Sequence, residues 1–186
     1  MAGGNLGMVL KSRGAFDEGL AAYAEAVAGS ANDATIQVNR VVALLHAGRW
    51  TEAWQGADWR LRLPGYQNLP EDRRLPPFAD VAGRTVLLTH KEGFGDTLQF
   101  LRYAPLLAEY GAHVIAMMPA PLLRVAKRVP GIAAVLSDDA PLPSYDYHCP
   151  VVGLPRVFGT TPETIPPGDY LRVLLAPNEC PPRGMV

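Results

Sequence analysis

Thr85-Val86-Leu87-Leu88-Thr89, with Gly93-Phe94-Gly95-Asp96-Thr97 close behind it, reads as a buried strand that runs into a glycine-rich turn and opens a helix. In an open α/β sheet such a turn lies at the carboxyl edge of the strands, where backbone N–H groups and a carboxylate can face a ligand crevice. Apolar residues at 98, 100, 101, 104, 107 and 108 then mark one helical face, so a helix is expected from Thr97 to about Tyr110, ending at Gly111. Pro105 lies inside that pattern and is expected to kink or shorten the helix, because it has no N–H and crowds the preceding turn.

The same alternation continues downstream. His113 to Met118 is a second apolar strand, and Pro121 to Arg128 a helix begun by proline and closed by Pro130-Gly131. Ile132 to Leu136 is a third strand, Tyr145 to Val151 a fourth after the Pro141-Leu142-Pro143 turn, and Leu154 to Phe158 a short helix. Strand and helix in alternation imply a parallel sheet with right-handed crossovers.

Upstream the chain repeats itself with a period of 34 residues, the spacing of a helix–turn–helix repeat. Asn5 falls on Asn39, Leu10 on Leu44, Gly14 on Gly48, Phe16 on Trp50, Glu18 on Glu52 and Gly19 on Ala53. Each glycine stands where one helix turns into the next, and the aromatic two positions later packs into the hairpin. Asn5-Leu6-Gly7, Gly14, Phe16, Gly19, Tyr23 and Ala26 resemble the tetratricopeptide repeat, and the second copy has Val41 where Gly7 stands. Such arrays use a concave groove to bind a peptide or protein partner. Two copies are few for a continuous core, so the array is expected to be truncated or to dock onto the α/β region downstream, with Trp54, Trp59, Arg60 and Arg62 as candidate capping residues.

Composition narrows the classes. With 17 Lys plus Arg against 18 Asp plus Glu, the chain has no global field to attract nucleic acid or an anionic membrane. No apolar run approaches a membrane span, no signal peptide opens the chain, and its two cysteines form neither a disulfide framework nor a metal-spaced cluster, so a reduced cytoplasmic setting is expected. Cys149 reads as a small core hydrophobe. His148 and Cys149 are strand neighbours facing opposite ways, so no metal site is expected there.

The turn itself excludes two standard cofactor sites. The dinucleotide fingerprint stops at Gly93-x-Gly95, with Leu98 where a third glycine belongs, and no G-x-x-x-x-G-K-[ST] occurs. No cofactor is implied. Asp96 has two readings that overlap: an N-cap with Gln99 three residues on, or a carboxylate facing the cleft.

Glu92-Gly93-Phe94-Gly95-Asp96-Thr97-Leu98-Gln99-Phe100, then Arg102-Tyr103, Tyr145-Asp146-Tyr147-His148-Cys149-Pro150, Leu154-Pro155 and Phe158-Gly159-Thr160-Thr161-Pro162-Glu163-Thr164-Ile165-Pro166, resemble a bacterial group. In it, tetratricopeptide repeats precede a GT-B glycosyltransferase related to the ADP-heptose:lipopolysaccharide heptosyltransferases. The resemblance covers about residues 1 to 173. With it, an α + α/β chain is expected: tetratricopeptide-like repeats over 1–63, a proline-rich linker over 64–83, a Rossmann-like acceptor-side domain over 84–175 (the N-terminal half of a GT-B fold, as the resemblance implies) and an irregular tail over 176–186 that the resemblance does not cover.

The chemistry the resemblance implies is sugar transfer, with Asp96 as the general base that deprotonates an acceptor hydroxyl. Gly93, Phe94, Gly95 and Thr97 would line the substrate site, and their N–H groups could stabilise negative charge. Arg102, early in the helix, could reach an acidic substrate or a surface carboxylate, and His148 could line the acceptor cleft; His90 shares that edge. The sequence departs from the group in having Lys91-Glu92 before Gly93, in a later Pro105, and in lacking a donor half. The expectation is therefore the acceptor-side part of a transferase, catalytically incomplete alone, whose nucleotide-sugar donor binds only with a missing C-terminal domain. The alternative is a non-catalytic interaction module whose repeats bind an unidentified protein or peptide.

Overall fold

In a computed structural model the described residues are 6, 7, 9, 10, 12–64, 66, 69–168, 170 and 171. Asn5 and the tail expected over 176–186 lie outside them. The first part holds α1 (Phe16–Gly29), α2 (Ala34–His46) and α3 (Trp50–Gly56), the last running on into a 3-10 turn, Ala57–Arg62. Gly14 and Gly48 adopt φ of +78° and +74° where a helix ends and the chain reverses, a left-handed conformation that side chains resist. The Oδ1 of Asp33 caps α2, accepting from the Thr35 and Ile36 N–H groups at 2.9 and 3.2 Å.

Two close approaches in this part are filled in opposite ways. Gly7 leaves room for the ring of Tyr23, which would stand 2.8 Å from a Cβ placed there. In the second hairpin the bulk comes from Val41, whose Cγ2 would stand 2.8 Å from a Cβ on Gly56. Bulk and small residue thus change places: Gly7 faces Tyr23, and Val41 faces Gly56. Tyr23, Ala43 and Ala53 are fully buried at the centre of this core.

The second part is α/β. It contains β1 (Thr85–Thr89), α4 (Phe94–Phe100), α5 (Ala104–Glu109), β2 (His113–Met118), α6 (Leu123–Ala126), β3 (Ile132–Ser137), β4 (Tyr147–Pro150) and α7 (Leu154–Val157). The four strands form one wholly parallel sheet in the order β3-β2-β1-β4. Growth from β1 goes one way to β2 and β3, then returns to the opposite side for β4. The reversal point is between β1 and β4.

Three expected elements differ in detail. The helix expected over 97–110 is two short helices joined by a 3-10 turn, Leu101–Tyr103, and Pro105 opens the second of them. The missing N–H of proline is harmless in a first turn and disruptive in an interior. The helix expected over 121–128 is a 3-10 turn holding Pro121 followed by the single turn α6. The fourth strand is shorter than 145–151: before it Asp146 holds Thr85 twice, its N–H donating to the Thr85 carbonyl at 2.9 Å and its Oδ2 accepting from the Thr85 N–H at 2.7 Å, and after it Val151 opens a 3-10 turn.

Strand alternation sorts the core. Val86, Leu88, Val114, Ala116, Met118 and Cys149 point to the face covered by α4 through α7. Leu87, Ile115 and Met117 point to the other face, against Tyr145, in a cluster to which no described helix contributes. The segment before β1 belongs to this packing. Leu75 is fully buried in the larger core, its N–H donates to the His148 carbonyl at 2.9 Å, and Arg74 pairs with His148 beside β4.

Candidate functional site

The helical part docks on the α/β part beside the reversal point. The Trp54 indole N–H donates to the Thr160 carbonyl at 2.7 Å. Asp58 receives two guanidinium groups, with Arg156 Nε at 3.1 Å and Arg74 Nη1 at 3.6 Å. Arg60 pairs with Glu92 at 3.6 Å, and the Tyr66 hydroxyl donates to the same carboxylate. Arg156, with 8 % of its surface exposed, also donates from Nη2 to the Leu75 carbonyl at 2.9 Å. One buried arginine therefore joins α7, the segment at Leu75 and the turn after α3.

Beneath this joint is a cleft of about 220 Å³. Its floor is the carboxyl end of β4 (Cys149, Pro150) and the start of α4, including Asp96. Its roof is the face of α2 that carries Val38, Val41 and Leu45, together with Trp54. Crevices outside the carboxyl ends of strands at a topological reversal are where open α/β sheets hold ligands. Here the crevice has a third wall made by helices from the other part of the chain.

Asp96 is the third residue of α4, exposed, and without a hydrogen bond or ion pair among the described residues. It is not the N-cap. Gly93 takes that position in extended geometry, φ −61° and ψ 160°, and its carbonyl accepts from the Thr97 N–H at 3.0 Å. The capping reading of Asp96 is corrected accordingly. Its carboxylate lies over Gly93, 3.5 Å from where a Cβ would be.

Gly93 and Gly95 are both exposed, neither has a positive φ, and nothing lies within 4 Å of a Cβ on Gly95. Neither backbone strain nor packing accounts for glycine at these two positions. Phe94 is 48 % exposed, its ring 5.7 Å from that of His90.

Thr97, expected to line the site, is fully buried. Its hydroxyl donates to the Gly93 carbonyl at 3.2 Å and meets His90 Nδ1 at 2.6 Å, so it closes the turn from beneath. Burial holds His90 below its usual imidazole range, with Lys91 adding to the effect and Asp138 opposing it.

Arg102 and His148 lie apart from Asp96. The Arg102 Nε donates to the Gln99 carbonyl at 2.8 Å and its guanidinium lies 5.2 Å from the Tyr170 ring centre. It borders a neighbouring groove with Trp50 and Ile165. His148 is buried, and its Nε2 donates to the Pro70 carbonyl at 2.9 Å, which fixes the tautomer. It opens onto a smaller hollow of about 160 Å³ with Lys91 and Tyr66.

No family model, curated protein or solved structure matches the chain.

Cys149 faces the larger core, opposite to His148, and burial pushes its thiol up to about 12. Among the described residues no three His, Cys, Asp or Glu side chains come together as a metal site, and no helix is long and apolar enough to cross a membrane. Sequence reading missed Asp58, Arg74 and Arg156 as site residues. One signal was available: Arg156 interrupts the otherwise apolar run Val151 to Phe158, and a charge in such a run needs a buried partner.

Proposed function

We propose that the chain is the acceptor-side half of a glycosyltransferase of the GT-B type that carries tetratricopeptide repeats, with Asp96 as the general base. The observation that carries the reading is an accessible, unpartnered carboxylate in the cleft beside the β1/β4 reversal. Gly93 and Gly95 leave open space around it for close approach of a ligand. The strand order β3-β2-β1-β4 is that of the first half of a doubly wound sheet, which agrees with the reading.

In the proposed reaction Asp96 takes the proton of an acceptor hydroxyl while that oxygen attacks the anomeric carbon of a nucleotide-sugar. The bond from that carbon to the nucleotide diphosphate breaks, and the diphosphate leaves with the electron pair. The base must lie within hydrogen-bond reach of the hydroxyl, and the open space at Gly93 and Gly95 lets an acceptor approach that closely. The donor would sit on a second α/β half.

The reading as a non-catalytic interaction module is less well supported. The apolar Val38–Val41–Leu45 face of α2, one surface a partner could use, is turned onto the cleft. Calorimetric titration of the chain with free sugars and nucleotide-sugars, beside Asp96→Ala, tests the proposal. Sugar binding that weakens in the variant is expected; equal heats in the two proteins would overturn it.

A further inference from the structure

We infer that the cleft selects an uncharged, hydroxyl-bearing ligand about the size of one sugar ring and discriminates against phosphorylated ones. The inference rests on the reading of the cleft as a carbohydrate site and goes beyond it by naming the class of acceptor.

The first observation is the pairing of charges. Six ionised side chains line the cleft: Asp58, Arg60, Arg74, Glu92, Asp96 and Arg156. Each of the three arginines already lies against a carboxylate, Arg60 on Glu92 and both Arg74 and Arg156 on Asp58. Arg74 has a further carboxylate in Glu71 at 3.4 Å. The sole charged lining group without a partner among the described residues is Asp96. A phosphate entering here would meet like charge at Asp96 and would compete with Asp58 and Glu92 for the arginines they hold. A hydroxyl has neither cost: it donates to the Asp96 carboxylate and accepts from the arginine N–H groups left over from their ion pairs.

The second observation is the wall chemistry. Trp54 and Phe100 border the cleft, and Val38, Leu45 and Leu61 add apolar surface beside the paired charges. Planar polar groups for hydroxyls next to aromatic faces for C–H surfaces suit a pyranose ring, which presents both. The third is size. About 220 Å³ is below the range of ~300–1,000 Å³ that encloses drug-sized ligands, too small for a nucleotide-sugar and suited to a single ring. Trp54, Asp58 and Arg60 come from the helical part, so that part supplies specificity at the same cleft.

The Trp54 indole N–H reports on occupancy, because it is bonded at the joint and its ring borders the cleft. The experiment tracks that resonance in ¹H–¹⁵N spectra of the full chain, assigned with Trp54→Phe. The probes are the methyl glycosides of glucose, galactose, mannose and N-acetylglucosamine against the 6-phosphates of the same sugars. The expected result is a saturable shift with at least one neutral glycoside and binding at least about tenfold weaker for its phosphate. Asp96→Asn is expected to narrow that gap. Equal or tighter binding of the phosphates would overturn the inference and leave the carbohydrate reading standing. A dispersed spectrum in which neither class moves Trp54 would bring both down.

Discussion

Asp58 Oδ1 and Arg156 Nε stand 3.1 Å apart across the joint between the helical and α/β parts, the carboxylate 41 % exposed and the guanidinium-bearing side chain 9 %. The asymmetry matters. Water reaches one partner freely and the other hardly at all, so Arg156 depends on Asp58 more than Asp58 depends on Arg156.

Removing the carboxylate should therefore cost more than a surface pair is worth. Loss of one partner from a fully buried pair costs roughly 3–5 kcal/mol, and the exposure of Asp58 scales this down to about 1–3 kcal/mol for Asp58→Ala. Urea denaturation reads it directly. The double variant Asp58→Ala with Arg156→Met should recover part of the loss, since it removes the charge that Asp58→Ala strands at position 156; additive losses would show that the two residues act independently.

Two glycines separate backbone strain from overlap. Gly14 has φ +78° with nothing within 4 Å of a Cβ, whereas Gly131 has φ +82° and a Cβ there would meet Ala108 Cβ at 2.8 Å and Pro105 Cα at 3.1 Å. Gly14→Ala should cost about 1–2 kcal/mol for the left-handed backbone alone. Gly131→Ala should cost a further ~1–3 kcal/mol for overpacking. Equal midpoint shifts for the two would contradict the close packing of α5 on the turn before β3.

Gly95 is a case where stability and binding should move apart. It lies in α4 with open space around it, so Gly95→Ala should stabilise the helix by roughly 0.5–1 kcal/mol. If the space serves ligand approach, the same change weakens sugar binding. A variant that gains stability and keeps full affinity would remove the ligand as the reason for glycine there.

Acid should weaken the fold through its histidines. Burial holds His148 below its ordinary value of 6.5, with Arg74 adding to the effect and the Pro70 carbonyl and Asp72 opposing it. His90 is lowered too, again chiefly by burial. A lowered imidazole means that the unfolded chain binds more protons as pH drops, so this contribution is complete above 6.5 and is lost as pH falls toward the folded values. Unfolding midpoints measured between neutral and mildly acid pH should decline, and His148→Gln should flatten part of that slope. A slope unchanged by both His148→Gln and His90→Gln would assign the acid sensitivity elsewhere.

The strands were the most legible part of the sequence. β1 and β2 lie where the apolar runs Thr85–Thr89 and His113–Met118 put them, because a strand buried on both faces is written as a continuous apolar run. Helix ends were less so. Asp is a better N-cap by preference than Gly, yet Gly93 caps α4, three residues before Asp96, where the Thr97 hydroxyl reaches back to the Gly93 carbonyl and closes the first turn. The glycine-rich turn and Asp96 marked one wall of the cleft. Of the opposite wall the sequence marked Trp54 and Arg60 as capping candidates but not Asp58, nor the partners Thr160, Glu92 and Arg156, because separate units meet there by packing and no periodicity links such positions.

The bond from Trp54 to Thr160 joins residues 106 positions apart in the chain. On a ribosome the helical hairpins can form well before the residues they rest on have been made, so the Val38–Leu45 face waits in water until α7 emerges. Closure of the joint then comes late, and its long chain separation makes it costly in entropy. By the same token, heating should part the joint before either core loosens, and the Val38–Leu45 face would then meet water again.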